Sequence, residues 1–338
     1  MFSSAVIPAA GPGSRLKSEI PKVYHKIGGV ALVDHVVAAA KGAGCREIVT
    51  VLNPKHRDIK LKFDSDISRV YQEIPKGTAD AVRCGFEALP DDSAPWVYVL
   101  YGDIPLITPE TLLKMSKVAE KYPDTAVIVL AMDASGTSDL GKLEPADEEG
   151  TVKSIIEAKD ISDSRKTLPL CNAGMLIRRD ILEKFLKEIK PSPVTGEFYI
   201  TEIVRLAWEA GHVCRYIKGN SEELGGINTR AELAASEKKF QERERQKHLD
   251  NGVTLVAPET VFFSCDTFLE SDVTVHPYVV FLGNVHVKSG TQIGPFCVIE
   301  GSEIGANVQA GPFSRLRTGT NLLNEVKIGN FVEIKNSI

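Results

Sequence analysis

Two glycines, an arginine and a lysine crowd into one stretch near the N-terminus, Val6-Ile7-Pro8-Ala9-Ala10-Gly11-Pro12-Gly13-Ser14-Arg15-Leu16-Lys17-Ser18-Glu19-Ile20-Pro21-Lys22. Together they suit an anion. Ala5-Val6-Ile7 reads as a buried strand, and a glycine-rich turn behind it brings backbone N–H groups to the carboxyl edge of a parallel sheet, where open α/β sheets bind their ligands. Arg15 and Lys22 add fixed positive charge beside those donors, which suits a nucleoside triphosphate. Position 16 is Leu16, so the turn is not the dinucleotide fingerprint, and no Gly-Lys-Ser/Thr follows to make a Walker A loop. A plain tight turn accounts for Gly11 and Gly13 about as well as phosphate binding does, because glycine is the default wherever φ is positive. The case for chemistry rests on the whole string, with Arg15 two residues after Gly13 and Pro21-Lys22 closing it.

The elements that must hold this loop are legible over the first two thirds of the chain. Helical spacing of apolar residues predicts helices over 32–44, 77–88, 108–121, 180–189 and 199–211. In the third of these Thr108 stands as N-cap with Pro109 behind it. Apolar runs predict strands over 47–52, 96–101 and 125–132. Strands alternating with helices imply a mostly parallel sheet with helices on both faces. At 338 residues the chain is long enough for two domains. It is 43% hydrophobic and 25% charged, with net charge −5, and has no Lys/Arg block, which argues against nucleic acid or an anionic membrane as partner. No apolar run approaches the roughly 20 residues that span a bilayer. The N-terminus enters a strand without a charged leader, so no signal peptide is expected. Six cysteines lie far apart without a C-x-x-C pair. Scattered buried thiols in a reducing cytosol are expected, and structural zinc is not.

Residues 229–251 are rich in Glu, Lys, Gln and Ala, with Leu233, Phe240 and Leu249 too sparse for a wide apolar face. That pattern predicts a solvent-exposed connecting helix at a domain boundary. It would serve almost as well for the last helix of the first domain. From Gly252 a six-residue rhythm takes over. Val275, Phe281, Val287, Ile293 and Ile299 share one phase, with Val273, Val279 and Val285 in a companion register. A hexapeptide period of aliphatics marks a parallel β-helix. The rhythm is still running at Ile338, so either the chain is cut short or something covers the open coil.

The loop resembles the signature of sugar-nucleotide pyrophosphorylases, L-A-A-G-x-G-T-R-M-x-S-x-x-P-K, with Pro8 for Leu, Ser14 for Thr and Leu16 for Met. With the hexapeptide repeats added, the chain resembles the GlmU family from its first strand to its last residue. In that family one half is N-acetylglucosamine-1-phosphate uridyltransferase and the other glucosamine-1-phosphate acetyltransferase. The resemblance implies an α/β fold: a Rossmann-like, mostly parallel mixed sheet of the nucleotide-diphospho-sugar transferase type over 1–228. A linking helix over 229–251 and a partial left-handed parallel β-helix over 252–338 would follow.

The same resemblance implies roles for particular residues. Arg15 and Lys22 would be catalytic, and Ala9, Ala10, Gly11 and Gly13 would lie on the nucleotide. Gln72-Glu73-Ile74-Pro75-Lys76-Gly77-Thr78-Ala79 is similar to the Q-x-x-x-x-G-T-x-x-A segment that holds uracil, which implicates Gln72, Gly77 and Thr78. Pro75 stands where the family often has a second Gln. Tyr101-Gly102-Asp103 would face the phosphates, and Asp103 with Asn228, in Gly225-Gly226-Ile227-Asn228-Thr229-Arg230, would hold Mg²⁺. Gly141, Glu157, Asn172 and Asn228 fall on the sugar side, under a segment, 196–201, that closes over it. Arg317 and Lys335 align with phosphate-binding residues of the acetyltransferase site, where Thr318 replaces the usual Pro. No histidine follows His286, so acetyl transfer is not expected of this chain.

The activity so implied is transfer of UMP from UTP to N-acetylglucosamine 1-phosphate, giving UDP-N-acetylglucosamine and pyrophosphate. A cytoplasmic enzyme that trimerises through its β-helix, if that domain is long enough, would fit, with neither nucleic acid nor membrane as partner. Two other readings stay open. One is a sugar-1-phosphate nucleotidyltransferase using glucose 1-phosphate or dTTP, and the other is a non-catalytic regulatory or assembly subunit.

Overall fold

A strand with no polar alternation must be covered on both faces, and β1 (Ser3–Pro8) lies in the middle of a nine-stranded sheet. The computed structural model describes residues 2–11, 13–92, 94–134, 140–147, 150–161 and 167–338. Pro12 of the loop lies outside them. The chain divides into two compact units, 1–25 with 31–232, and 26–30 with 233–338.

In the first unit β1 is followed by α1 (Leu32–Gly42), β2 (Ile48–Leu52), β3 (Ser68–Tyr71), α2 (Thr78–Phe86), β4 (Trp96–Leu100), α3 (Pro109–Lys121) and β5 (Thr125–Asp133). The hairpin β6 (Lys142–Pro145) and β7 (Val152–Ile156) comes next, then β8 (Leu170–Arg178), α4 (Arg179–Phe185), α5 (Glu202–Glu209) and β9 (Val213–Lys218). Across the sheet the order is β9-β5-β8-β4-β1-β2-β3, with β6 and β7 hung from β8. Pairings are parallel except those of β8 with its neighbours and of β6 with β7, so the sheet is mixed but mostly parallel, as expected. Ala5 and Ile7 face one apolar cluster and Val6 the other, each roofed by helices.

Two helices miss a predicted end by more than two residues. α4 ends at Phe185 rather than 189, its last turn tightening to a bond from Glu188 N–H to Phe185 O (2.9 Å) ahead of Pro191. α5 starts at Glu202 rather than 199, because residues 198–200 are tied to residues 76–79. Phe198 N–H donates to Lys76 O, Ala79 N–H to Phe198 O, and Ile200 N–H to Thr78 Oγ1, at 2.8, 2.8 and 3.0 Å.

In the second unit the hexads resolve into three parallel sheets of two- and three-residue strands. Val275, Phe281 and Val287 enter three successive sheets, and Ile293 returns under Val275, so three hexads make one coil. All five in-phase residues are buried. The phase resumes beyond Ile299 at Ile304, Ala310, Leu316 and Leu322, one residue early, because the coil joining Val287 to Ile304 is one residue short. Corners take left-handed φ, and at Tyr278, Phe296, Phe313 and Phe331 the corner residue is aromatic. Their exposed rings stack with centroids 5.0, 5.0 and 5.1 Å apart. Contact along the ladder offsets the cost of left-handed backbone at bulky residues.

α6 (Arg230–Asp250) is not a merely solvated connector as its composition predicts. Phe240, Gln241, Glu244 and His248 are buried. Gln241 Nε2 donates to Phe263 O at 2.7 Å while its Oε1 accepts from Phe263 N–H at 2.8 Å, so a side-chain amide substitutes for a neighbouring strand. His248 stacks on Phe263 at 4.5 Å, and burial pushes its pKa down to about 4. None of the six cysteines is in a disulfide. No helix among the described residues is long and apolar enough to cross a membrane.

α2 approaches the sheet through Gly85, where a Cβ would lie 2.4 Å from Val6 Cγ1 and 2.9 Å from Val51 Cγ2. Gly85→Val should therefore destabilise the chain by about 1–3 kcal/mol through overpacking. An unchanged urea midpoint would show that the helix can shift at no cost.

Candidate active site

The parallel register of β1 with β4 brings Pro8 and Leu100 to the same sheet edge, and the chain leaves both strands there. Gly102 N–H donates to Pro8 O (3.1 Å), and a Cβ on Gly102 would meet Ala9 Cβ at 2.9 Å. Pro8 costs the sheet little. Ala5 and Ala9 N–H both bond toward β2, so the ring nitrogen of Pro8 faces the other side, past the end of the β4 ladder. Between these ends opens a cavity of about 280 Å³. Ala9, Ala10, Gly11 and Lys22 line one side, Gln72, Gly77 and Thr78 another, and Tyr101 and Asp103 the floor.

Gly13 has φ +62°, and a Cβ there would lie 2.4 Å from Lys22 Cβ. The second glycine of the loop is thus required by the packing of Lys22. Lys22 Nζ donates to Asp103 Oδ2 at 2.5 Å and to Asn228 Oδ1 at 2.9 Å. Asn228 is placed by two contacts. Ile227 N–H donates to Asp103 O (3.0 Å), and Glu232, in a capping box with Thr229, accepts from Asn228 N–H at 2.7 Å and Thr229 N–H at 2.8 Å. Arg230 continues the tie, with Nε on Leu16 O and Nη1 against His25 Nδ1, both at 3.3 Å, while His25 Nε2 bonds Ile20 O at 3.2 Å. Burial, then the Arg230 charge, holds the His25 imidazole below its usual pKa. Asp103 and Asn228 present hard oxygens that converge on a point already filled by a cation, the Lys22 ammonium. That donor set fits Mg²⁺, which takes few protein ligands.

A second polar group lies beside the first. Asn172 N–H donates to Gly141 O (2.9 Å), and Asn172 Nδ2 to Tyr101 Oη (2.8 Å). Thr201 Oγ1 donates to Glu157 Oε1 at 2.6 Å. A Cβ on Gly141 would lie 2.8 Å from Ile155 Cγ2 and 3.4 Å from Glu157 Oε1. Glu157 lines a hollow of about 510 Å³ together with Asp160, Tyr199 and Thr201. Burial, then the nearby Glu157 carboxylate, pushes the Tyr101 phenol up. Burial likewise raises Glu157, against the pull of the Thr201 hydroxyl.

Not every residue singled out in the sequence reaches the cavity. Arg15 is exposed on a one-turn helix, Ser14–Leu16, and does not line it. Gly13 and Gly102 act through close packing. Arg317 and Lys335 lie in the second unit, where Arg317 Nη1 pairs with Glu333 Oε1 at 2.8 Å. Sequence reasoning gave no role to Asp80 or Glu232, and took in Thr201 and Arg230 only within longer strings. Of the first two only Glu232 had a readable signal, the Thr229-x-x-Glu232 box.

The fold and the site define a nucleotidyltransferase: the family model of the MobA-like NTP transferase domain matches residues 5–193. A solved UDP-glucose pyrophosphorylase, in complex with UDP-glucose, shares the fold at TM-score 0.57 and 23% identity, over 72% of this chain and 100% of that one. Curated relatives narrow the family further. The bifunctional protein GlmU of Wolbachia pipientis wMel is 39% identical over 336 residues, 98% of this chain and 76% of the relative. That of Zymomonas mobilis is 36% identical over 338 residues, 99% of this chain and 75% of the relative. The chain belongs to the GlmU family.

The raised pKa of Glu157 has a thermodynamic sign. The folded chain holds this proton more tightly than the unfolded chain, so stability is full below the ordinary carboxylate pKa and falls as pH rises from there through the folded value. Glu157→Gln removes that loss. The variant should melt at or above the parent at about pH 8 and lose the advantage near about pH 4. A parent that gains on the variant with rising pH would refute burial as the dominant cause.

Proposed function

We propose that this chain transfers UMP from UTP to N-acetylglucosamine 1-phosphate, releasing pyrophosphate and UDP-N-acetylglucosamine, and that residues 1–228 carry the activity. The observation that carries the reading is Lys22 Nζ held by Asp103 and Asn228 at the edge of a cavity in a GlmU-family chain. The sugar-phosphate oxygen would attack the α-phosphorus of UTP in line as pyrophosphate leaves. Such chemistry asks mainly for positioning and charge neutralisation.

This chain's residues supply both. Backbone at Ala9–Gly11 faces the triphosphate, and at Gly11 nothing lies within 4 Å of where a Cβ would be, which leaves room for a phosphate. Lys22 neutralises charge on the phosphates, with Arg15 adding field from the loop. Mg²⁺ held by Asp103 and Asn228 would supply further neutralisation and draw the two reactants together. Glu157, Asn172 and Gly141 form the sugar side, where a carboxylate and an amide suit hydroxyls and an N-acetyl group. The 196–201 strap brings Glu197 into the cavity wall.

Pyrophosphate release over a panel of N-acetylglucosamine 1-phosphate and glucose 1-phosphate, each with UTP and dTTP, tests the reading. The amino-sugar pair with UTP should lead, and activity should vanish with EDTA and return with Mg²⁺. Preference for glucose 1-phosphate or dTTP would favour the neighbouring transferase reading, and no release with any pair a non-catalytic subunit. Lys22→Ala should lower kcat/KM on the order of 10²–10³-fold with little change in Tm. Unaltered turnover would remove Lys22 from the mechanism. Association into trimers through the β-helix belongs to the same reading, and sedimentation as a monomer would refute it.

A further inference from the structure

Gln72 is 4% exposed and lines the cavity. Its side-chain amide makes two hydrogen bonds, both through Nε2, to Gly77 O at 3.2 Å and to Asp80 Oδ2 at 2.8 Å. A carbonyl and a carboxylate can only accept. The nitrogen of the amide must therefore face them and the oxygen must face away, whichever way round the two atoms are first drawn. Among the described residues nothing donates to Gln72 Oε1. Asp80 is in turn held from behind, where Arg83 Nη2, one turn along α2, donates to Asp80 Oδ1 at 2.7 Å. The capacity Gln72 has left for a ligand is one acceptor.

We propose that Asp80, backed by Arg83, is a specificity-determining positioning residue that locks the Gln72 amide with its oxygen toward the base. The lock selects a pyrimidine that carries an N3–H donor, uracil or thymine, and rejects cytosine, whose N3 is an acceptor. Half a turn about the last bond of Gln72 would present the NH₂ group instead and suit cytosine. Asp80 forbids that turn, because it would set Oε1 against a carboxylate and a carbonyl and take from Asp80 Oδ2 and Gly77 O the donor that Gln72 gives them. The inference rests on the reading of this cavity as the nucleotide site. A merely structural Asp80, stabilising the start of α2 by its charge, would change stability and slow all nucleotides alike.

Initial rates with N-acetylglucosamine 1-phosphate and UTP, dTTP or CTP are measured for the full chain and for Asp80→Asn and Asp80→Ala. In both variants the ratio of kcat/KM for UTP to that for CTP should fall at least about tenfold, since discrimination by a fixed hydrogen-bond partner is lost when it can turn. The UTP to dTTP ratio should stay within about twofold, because both bases carry N3–H. An unfolded fraction lowers all rates together, so the ratios survive partial loss of folding. A parent that uses UTP, with a UTP to CTP ratio unchanged in both variants, overturns the role of Asp80 alone. So does a parent that takes CTP as readily as UTP, or a UTP to dTTP ratio that moves in step. A parent that turns over none of the three overturns the nucleotide reading and the inference with it.

Discussion

One ammonium group joins three segments that are far apart in sequence. Lys22 comes from the loop after β1, Asp103 from the end of β4 and Asn228 from the approach to α6, and Lys22 Nζ bonds both oxygens. The sheet makes this possible, because parallel register puts the ends of β1 and β4 side by side. The loop then needs a residue without a Cβ at position 13 to let Lys22 pack across it. On the far side the capping box of α6 fixes the backbone of Asn228, and Arg230 with His25 ties that backbone to the loop. Each device is ordinary. Their common result is that a positive charge and two hard oxygens are held in one place before any ligand arrives, which is the preorganisation that electrostatic catalysis depends on.

The opposite wall follows a different logic. Residues 76–79 and 196–201 are knitted by backbone hydrogen bonds, and Gly77 is bare because the Phe198 backbone would lie 2.4 Å from its Cβ. The same strap carries Thr201, which bonds Glu157, so the wall around Thr78 and the group around Glu157 share one piece of chain. Thr78 spends its hydroxyl on this strap, which makes it a fastening as much as part of the lining.

Much of this was legible in the sequence, for identifiable reasons. β1, β2, β4 and β5 are buried but for the last residue of β1 and of β5, so their largely apolar runs announce them. β3 and β9 are half covered, and β6 and β7 form a short hairpin, so none presents such a run. β8 is as buried as the central strands, but Asn172 and Gly174 break its pattern at a bulge. α6 was misjudged because apolar spacing cannot register a helix docked by an amide, as Gln241 docks on Phe263. Within the site, Gly11, Lys22, Gln72 and Asp103 could be read from recurring strings. The roles of Asp80 and Thr201 could not, since these lie in which side chain each touches, and no spacing rule carries that.

The short coil of the β-helix has a consequence for how the chain finds its winding. In a strict repeat of equal coils, a segment displaced by one whole turn meets nearly the same aliphatic partners, and the wrong winding lies close in energy to the right one. Here the step from Val287 to Ile304 is one residue shorter than that from Leu269 to Val287. A displaced turn that carried the short step onto a full one would throw every later aliphatic residue out of phase and turn it toward water. The missing residue thus works as a notch in the thread, letting the solenoid count its own turns.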